Sequence, residues 1–365
     1  MTPTRRKVRS LLTVVGVAVG VATVVALVSV ARGLRGQFNS FFAAGDAHLV
    51  LSRKGASDPF ISYLPDDLIE KLLDTEGVAA AHPFLFAAYQ LPAHAFFFYY
   101  GTTKGSPLLD QVRIVEGRGL FDAGGEGRPI CLGRAVARHL DKDVGATLTL
   151  GNDVFEVVGI FESATPLLES GGILAFGDAQ RVAGLEGKMS SALIHLRPFS
   201  PEILTRAETA LEAAFPAVEA TAPSAFSHAF DEFDLAEQAV TVFTILAIFV
   251  GGIGVMNTML MSVFEQTREI GILQAIGWSK WMILREVLTE GFVVCLLGGP
   301  VGIGLGIAAV EVVGSIGQLS WVSGDYGPTV FAEAMGVAVG MGIFGAIYPA
   351  LRAVRITPIE ALRYE

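Results

Sequence analysis

The sequence predicts a membrane protein with four transmembrane α-helices and an α+β extracytoplasmic domain inserted between helices 1 and 2. The composition is the first reason, because 52% of the 365 residues are hydrophobic and only 17% are charged, whereas an ordinary soluble domain carries about 25% charged residues. The second reason is that the apolar residues are concentrated in four long blocks. This composition excludes a disordered chain, a collagen and a disulfide-rich miniprotein. The net charge of −10 excludes the basic surface by which proteins bind nucleic acid.

Each apolar block is long enough to cross the hydrocarbon core of a bilayer. Leu11–Ala31 contains 21 residues without a charge, which span about 31 Å at the rise of a helix. Gln238–Phe264 is also uncharged, Val287–Val310 contains the single acid Glu290, and Ala334–Leu351 is the fourth block. A cleaved signal peptide is the alternative for the first block. The apolar core of such peptides is typically about 7–15 residues long, so the length favours a retained span.

Basic residues near the block ends predict the orientation, because cytoplasmic loops are enriched in Lys and Arg. They lie before the first block, between the second and third blocks and after the fourth: Arg5, Arg6, Lys7, Arg9, Arg268, Lys280, Arg285, Arg352, Arg355 and Arg363. The connection between the third and fourth blocks contains acids and no basic residue. We therefore expect a multi-pass protein of the inner (plasma) membrane with both termini in the cytoplasm.

This topology divides the chain into three parts. Residues 1–35 form a cytoplasmic tip and the first span, residues 36–224 form the extracytoplasmic domain, and residues 225–365 form a stalk helix, the last three spans and a cytoplasmic loop. The domain is predicted as α+β because helical and strand patterns do not alternate regularly. Strands are predicted at 48–52, 79–91, 95–102, 129–132, 146–150, 154–161, 172–176 and 192–197, and helices at 65–75, 134–140 and 201–215.

The extracytoplasmic domain contains no pattern that predicts a catalytic or metal site. Its histidines are scattered and show none of the short spacings of metal ligands. Cys131 and Cys295 fall in different compartments of this topology, so they are not expected to pair. The aromatic run Phe96–Tyr100 has two interpretations, either a packed strand core or the lining of a hydrophobic groove for a lipid-like substrate.

A nucleotide-binding loop is also missing from the sequence. The Walker A pattern needs a Gly-Lys pair followed by Ser or Thr, and the chain's Gly187-Lys188 is followed by Met189. No cofactor is therefore expected on this chain. If ATP drives its function, ATP and magnesium bind another chain.

The loop between the second and third blocks carries the strongest functional signal. It predicts a short amphipathic helix over Glu269–Ile276, with Ile272, Leu273 and Ile276 on its apolar face. Gly277 is expected to end this helix, and Ser279 to cap the next one. A short helix at the membrane surface either merely anchors the loop or passes a push from a partner to the spans.

Small residues in the blocks predict close helix packing. Glycines four residues apart lie on one helix face and let backbones approach each other. They recur in the first, third and fourth blocks as Gly16, Gly20, Gly298, Gly302, Gly306, Gly336 and Gly340. Whether these contacts form within or between subunits stays open. Asn257 in the second block is a candidate for a hydrogen bond to a neighbouring helix.

Several segments resemble the MacB/FtsX-type ABC transporter permeases. The resemblance is carried by Asn257–Gly277, by Gly298–Gly302 with Glu290 before it, and by the C-terminal Tyr348–Tyr364. The stretch 130–160 resembles the periplasmic core domain of the same family.

The resemblance implies a stand-alone permease subunit that works with a separate ABC ATPase. Such permeases dimerise, here as a homodimer or with a related permease, and bind the ATPase through a coupling helix after the second span. This helix would cover about residues 265–277, and the implied coupling residues are Glu265, Arg268, Glu269, Ile272, Ala275, Ile276 and Gly277. ATP and magnesium would be bound by the partner ATPase.

The family's mode of action implies a non-catalytic membrane subunit. ATP hydrolysis would move the extracytoplasmic domain, a mode called mechanotransmission, for efflux or release of a hydrophobic compound, a peptide or a lipoprotein. A periplasmic adaptor or an outer-membrane component is a possible further partner, besides membrane lipid. The alternative is an FtsX-like signalling scaffold that activates an external cell-wall hydrolase and transports nothing.

Overall fold

The chain divides into two compact units. The computed structural model describes residues 3–43, 47–55, 62–75, 77–91, 94–122, 127–223, 231–316, 319–358 and 361. The membrane unit contains residues 1–32, 237–312 and 324–365, and the external unit contains residues 33–236 and 313–323. The external unit thus includes a segment between the third and fourth spans, which the sequence-based division assigned to the membrane part.

Ten α-helices are found in the described ranges. They are α1 (Pro3–Ala43), α2 (Leu68–Leu73), α3 (Arg134–Leu140), α4 (Pro166–Glu169), α5 (Phe176–Ala183), α6 (Pro201–Ala214), α7 (Asp231–Glu265), α8 (Thr267–Ala275), α9 (Lys280–Ser315) and α10 (Pro328–Val354). Four of them, α1, α7, α9 and α10, are long and apolar enough to cross a membrane. They confirm the four predicted spans. Each helix extends beyond its apolar block, because a helix satisfies its own backbone hydrogen bonds beyond the apolar stretch as well as within it.

Glycines of α9 bring its backbone against α1. A Cβ atom at Gly302 would lie 2.6 Å from the Ala18 carbonyl oxygen, and one at Gly306 would lie 2.8 Å from the Ala22 carbonyl oxygen. A Cβ atom at Gly298 would meet Val17 in the same way. The two backbones can approach this closely only because α9 lacks side chains on this face. These contacts form within one protomer.

The other candidate packing residues lie in different surroundings. A Cβ atom at Gly20 would meet Met341 of α10, and one at Gly340 would be in ordinary contact with Ile248 of α7. Gly16 and Gly336 have no such neighbour within 4 Å. Asn257 is exposed on α7, and within the described part of the chain it makes no hydrogen bond to a neighbouring helix.

The external unit is built on a mixed sheet. Its strands are β1 (Leu49–Arg53), β2 (Leu64–Pro65), β3 (Val78–Leu91), β4 (His94–Thr102), β5 (Val112–Gly117), β6 (Arg128–Gly133), β7 (Thr147–Leu150), β8 (Asp153–Ser163), β9 (Gly171–Ala175), β10 (Lys188–Met189), β11 (Ser191–Leu196) and β12 (Val218–Thr221). In the described part the main sheet has the order β12-β1-β11-β3-β4-β9-β6-β8-β5, with β7 paired to β8. The pairs β4–β9 and β6–β8 are parallel, and the remaining pairs of this sheet are antiparallel.

The aromatic run of β4 is buried on both faces of the sheet. Phe98 and Tyr100 pack in one core cluster and Phe97 and Tyr99 in another, and all four are nearly inaccessible to solvent. A strand covered on both faces has no polar alternation, which explains its continuous apolar sequence. The packed strand core is therefore the correct interpretation for residues 97–100, while the side chain of Phe96 lies outside the described part.

Most predicted elements of the external unit are found near their predicted bounds. The predicted strands 79–91, 95–102 and 129–132 correspond to β3, β4 and β6, and the helix 134–140 is α3. The helix predicted over 65–75 is only α2, because Pro65 pairs with Lys188 of β10. The predicted stalk 225–237 falls partly on residues 224–230, outside the described part.

Six elements of the described part were not predicted from the sequence: α4, the short strands β2 and β10, and the three described next. The strand β5 lies at the sheet edge and is half-exposed, so its residues lack a clean apolar period. The helix α5 begins directly after β9, and no turn residue in the sequence marks the boundary between them. The short strand β12 pairs with β1, far away in the sequence.

We expect Gly302→Ala to destabilise the membrane unit by about 1–3 kcal/mol, the usual cost of overpacking. The added Cβ would meet the Ala18 carbonyl oxygen at 2.6 Å, and a backbone oxygen cannot rotate away. Thermal unfolding in mild detergent measures the effect. Gly304→Ala is the matched control on the same helix, because a Cβ there meets nothing within 4 Å. Equal melting temperatures for the two variants would contradict this packing.

We expect Cys131 to resist alkylation in the folded chain. Burial raises the pKa of its thiol to about 12, so the reactive thiolate at pH 8 is roughly 1,000-fold rarer than in an ordinary thiol. In a Cys295→Ala background, N-ethylmaleimide should label Cys131 at pH 8 at least about 100-fold more slowly than an exposed cysteine introduced at Asp143. Equal labelling of both positions before denaturation would show that Cys131 is accessible.

Candidate functional site

A short helix, α8, connects α7 to α9 and is fixed at both ends. Gln266 is its N-cap residue and follows directly on Glu265, the last residue of α7. At the other end the Trp278 N–H donates to the Leu273 carbonyl (3.0 Å) and the Gly277 N–H to the Gln274 carbonyl (3.1 Å). This pair of bonds is a Schellman motif.

Glycine is required at the C-terminal end of α8. Gly277 has φ +105°, in the left-handed region that other residues rarely adopt. The hydroxyl of Ser279 then accepts a hydrogen bond from the Met282 N–H at 3.4 Å, which caps α9. The predicted roles of Gly277 as a helix stop and of Ser279 as a cap agree with this geometry.

One face of α8 packs against the C-terminal segment that follows α10. Ile270 and Gly271 are buried, and Ala361 is fully buried. A Cβ atom at Gly271 would lie 2.2 Å from the Cβ of Ala361, so only glycine fits at this contact. The helix is therefore supported from behind by the chain beyond α10.

Another part of the α8 surface is open in the protomer. Ile276 is 71% exposed and Ile272 is 44% exposed, so two residues of the predicted apolar face do not pack on their own chain. Arg268, Ile272, Ala275 and Ile276 share this face by helical spacing, and all four are exposed. We call these four residues the outer face of α8. Glu269 is exposed beside them and Glu265 is exposed at the end of α7.

Polar contacts join α8 to the neighbouring helices. Gln266 donates from Nε2 to Ser262 Oγ (3.1 Å), and Ser262 Oγ donates to Glu290 Oε1 on α9 (3.3 Å). The Arg352 guanidinium of α10 lies 4.8 Å from the centroid of the Phe264 ring, within the range of a cation–π interaction. These contacts tie the ends of α7, α9 and α10 together near α8.

A groove of about 470 Å³ runs between α1, α7 and α10. Valine and isoleucine side chains form about half of its lining, and Thr241, Thr244 and Glu237 add polar groups. Arg32 and Glu333 also line it and form an ion pair at 2.6 Å. The groove thus has a partly apolar lining with polar and charged groups among its residues.

The part of the chain that the structure describes contains no group of three metal-ligating side chains. Of the residues named from the sequence, the structure brings together the candidate coupling residues around α8 and the α9 glycines against α1. Sequence reasoning missed the Gly271–Ala361 contact, because nothing in the sequence indicates that the C-terminal segment folds back on α8. A glycine within a helix costs about 1 kcal/mol relative to alanine. Gly271 in the predicted helix was therefore the one available sign of a close contact.

Family comparisons match most of the chain. The MacB-like periplasmic core domain matches residues 10–183, and the FtsX-like permease C-terminal domain matches residues 241–358. A macrolide export ATP-binding/permease protein MacB from Marinobacter nauticus is 29% identical over 98% of this chain. The chain spans 58% of that relative's length.

A second relative has nearly the same extent as this chain. The uncharacterized ABC transporter permease YknZ from Bacillus subtilis is 28% identical, and the match covers 98% of this chain and 96% of the relative. The crystal structure of the periplasmic region of MacB from Actinobacillus actinomycetemcomitans aligns with 51% of this chain and 93% of that chain at 9% identity, with a TM-score of 0.40. On the two domain matches and the two sequence relatives, the chain belongs to the MacB/FtsX-type family of ABC transporter permeases.

Proposed function

We propose that the chain is the permease subunit of an ABC-type export complex whose ATP is hydrolysed by a separate ATPase subunit. The observation that carries this proposal is the outer face of α8, an exposed apolar surface on a helix fixed at both ends. An exposed apolar surface of this kind is typical of a protein contact. The ATPase binds this face, with Arg268 and Glu269 beside the apolar residues.

A displacement of α8 by a bound partner would be transmitted to three spans. α8 continues into α7 through Gln266 and into α9 through the Gly277 turn. Its back contacts the segment after α10 through Gly271. ATP-driven closure of the ATPase therefore moves α7, α9 and α10 together, and the spans move the external unit. The chain itself catalyses nothing.

The subunit works as a dimer in the membrane, with both termini and α8 in the cytoplasm. Only 11% of the α7 span is buried within the protomer, against 33–44% of the other three spans. The side chains of α7 therefore contact either lipid or a second permease subunit, identical or related. An adaptor or an outer-membrane component would act on the external unit.

The transported or released molecule is an amphiphile or a hydrophobic compound. The groove between α1, α7 and α10 supports this proposal, since its apolar side chains suit a hydrocarbon and the Arg32–Glu333 ion pair places a polar group beside them. Hydrophobic compounds, lipoproteins and apolar peptides all have this character.

Mass spectrometry of the tagged protein, purified from native membranes in mild detergent, tests the partners. We expect an ABC ATPase, together with an adaptor or an outer-membrane channel if export crosses the outer membrane. An ATPase with a cell-wall hydrolase would indicate the signalling scaffold instead. An intact complex without any ATPase would contradict the role of α8.

We expect Ile276→Asp to reduce co-purification of the ATPase at least about tenfold, because a carboxylate in an apolar contact must be desolvated without a partner. The thermal stability of the permease should not change, since Ile276 is 71% exposed. Val154→Asp, a change at an exposed apolar residue of the external unit, is the control and should retain the ATPase. Normal ATPase recovery with Ile276→Asp and with charge reversals at Arg268 and Glu269 would refute the docking site.

We expect Gly271→Ala to lower the ATPase activity of the complex, because its Cβ would displace the C-terminal segment from α8. The second change Ala361→Gly removes the opposing Cβ and should restore activity. The coupling energy in a double-mutant cycle of thermal stability should be at least about 1 kcal/mol. Additive effects of the two changes would show that α8 and the C-terminal segment do not act through this contact.

A further inference from the structure

The segment 313–323, which begins in the last turn of α9 and ends before α10, belongs to the compact external unit. A connection between two spans is expected to run over the surface. Here the side chain of Trp321 packs against the largest core cluster of the external unit. The segment is thus part of the fold of that unit.

One buried side chain near the end of α1 holds this segment. Gln37 is 7% exposed, and its Nε2 donates to the Trp321 carbonyl (3.2 Å) and to Ser323 Oγ (2.9 Å). Its Oε1 accepts from the Leu167 N–H of α4 at 3.0 Å. Both amide N–H groups and the amide oxygen of Gln37 are therefore engaged, and the three bonds join α1, α4 and the segment 313–323.

Two further contacts of the same segment lie beside the Gln37 hydrogen bonds. Ser320 Oγ and Ser170 Oγ are hydrogen-bonded at 2.8 Å, and Ser170 directly follows α4. The Trp321 ring contacts the Phe98 ring edge-on, with centroids 5.8 Å apart. The Leu167 carbonyl accepts from the Tyr100 hydroxyl at 2.7 Å, so α4 is itself held to β4.

We propose that Gln37 is a positioning residue that fastens the segment 313–323 into the external unit, so that movement of α9 and α10 reaches this unit through the segment. This inference rests on the proposed function, which supplies the movement. Along the chain, α1 and α7 each continue from the membrane unit into the external unit, and the segment 313–323 is the part of the external unit that links α9 to α10.

These contacts matter because a flexible loop would not transmit a displacement of α9 and α10 to the external unit. Coupling between distant parts of a protein is carried by packed side chains, hydrogen-bond networks and rigid elements. Gln37, Ser170 and Phe98 make the segment part of such a network. Without them, α9 and α10 would move while the connection between them absorbed the displacement.

Fluorescence energy transfer in the complete complex tests this inference. The full chain is reconstituted with its co-purified ATPase in lipid nanodiscs, and dyes are attached through unnatural amino acids at the exposed positions Asp143 and Glu286. The change in transfer on adding ATP and vanadate reports movement of the external unit. The variants are Gln37→Leu and, as the matched control, Gln180→Leu. Gln180 is 8% exposed and makes two hydrogen bonds in the same unit, to Asp66 and Lys188.

We expect Gln37→Leu to retain its ATPase and to hydrolyse ATP, but to show less than half of the wild-type change in energy transfer. Gln180→Leu should show the wild-type change. An unaltered change in Gln37→Leu, or an equal loss in Gln180→Leu, would overturn the inference. A wild-type complex that shows no nucleotide-dependent change would overturn the proposed function first, and this inference with it.

A disulfide between positions 170 and 320 tests whether Gln37 acts by holding the segment 313–323 against the external unit. Ser170→Cys and Ser320→Cys replace two hydroxyls 2.8 Å apart, close enough for the new thiols to pair. In the Gln37→Leu background we expect the oxidised pair to restore the change in energy transfer and a reductant to abolish it again in the same sample. A loss that persists in the oxidised protein would show that Gln37 does not act by holding the segment.

Discussion

The close approach of α9 to α1 is the contact on which the membrane unit depends. In lipid no hydrophobic force drives helices together, so association relies on van der Waals packing, on hydrogen bonds between helices and on lipid entropy. Gly298, Gly302 and Gly306 remove the side chains that would separate the two backbones, and Val17, Val21 and Val25 of α1 fill the resulting recess. The valines are stiff at χ1, so the recess is filled by side chains that lose little freedom. This contact places α1 and α9 as one body beside which α7 and α10 are arranged.

Glycine also allows close packing at α8, whose two faces have different surroundings. Its inner face is reduced to glycine so that Ala361 can reach the helix backbone. Its outer face retains branched apolar side chains that the protomer leaves uncovered. A helix of nine residues is too short to be stable alone in water. Its order comes from the Schellman motif, from the Ser279 cap of the following helix and from the contact with the C-terminal segment.

The sequence predicted what depends on local pattern and missed what depends on distant contact. The four spans followed from apolar length, and the short helix α8 followed from an amphipathic period with Gly277 and Ser279 at fixed offsets. The strand β12 and the Gly271–Ala361 contact join residues far apart in the chain, and no local pattern encodes such pairs. The outer face of α8 shows the same limit of prediction. The helical spacing of apolar residues identified Ile272 and Ile276 as apolar-face residues, but only the structure shows that the rest of the protomer does not cover them.

The construction of the external unit from two separate stretches of chain limits how it can be cut out of the protein. A fragment of residues 33–236 would lack the segment 313–323. The Gln37 amide and the Phe98 ring would then be exposed to water, and the hydroxyl of Ser170 would lose its partner. Such a fragment would carry an apolar patch that favours association with other molecules. A soluble version of this unit therefore requires the short segment to be grafted back, for instance through a linker after residue 236, or the patch to be replaced by polar side chains.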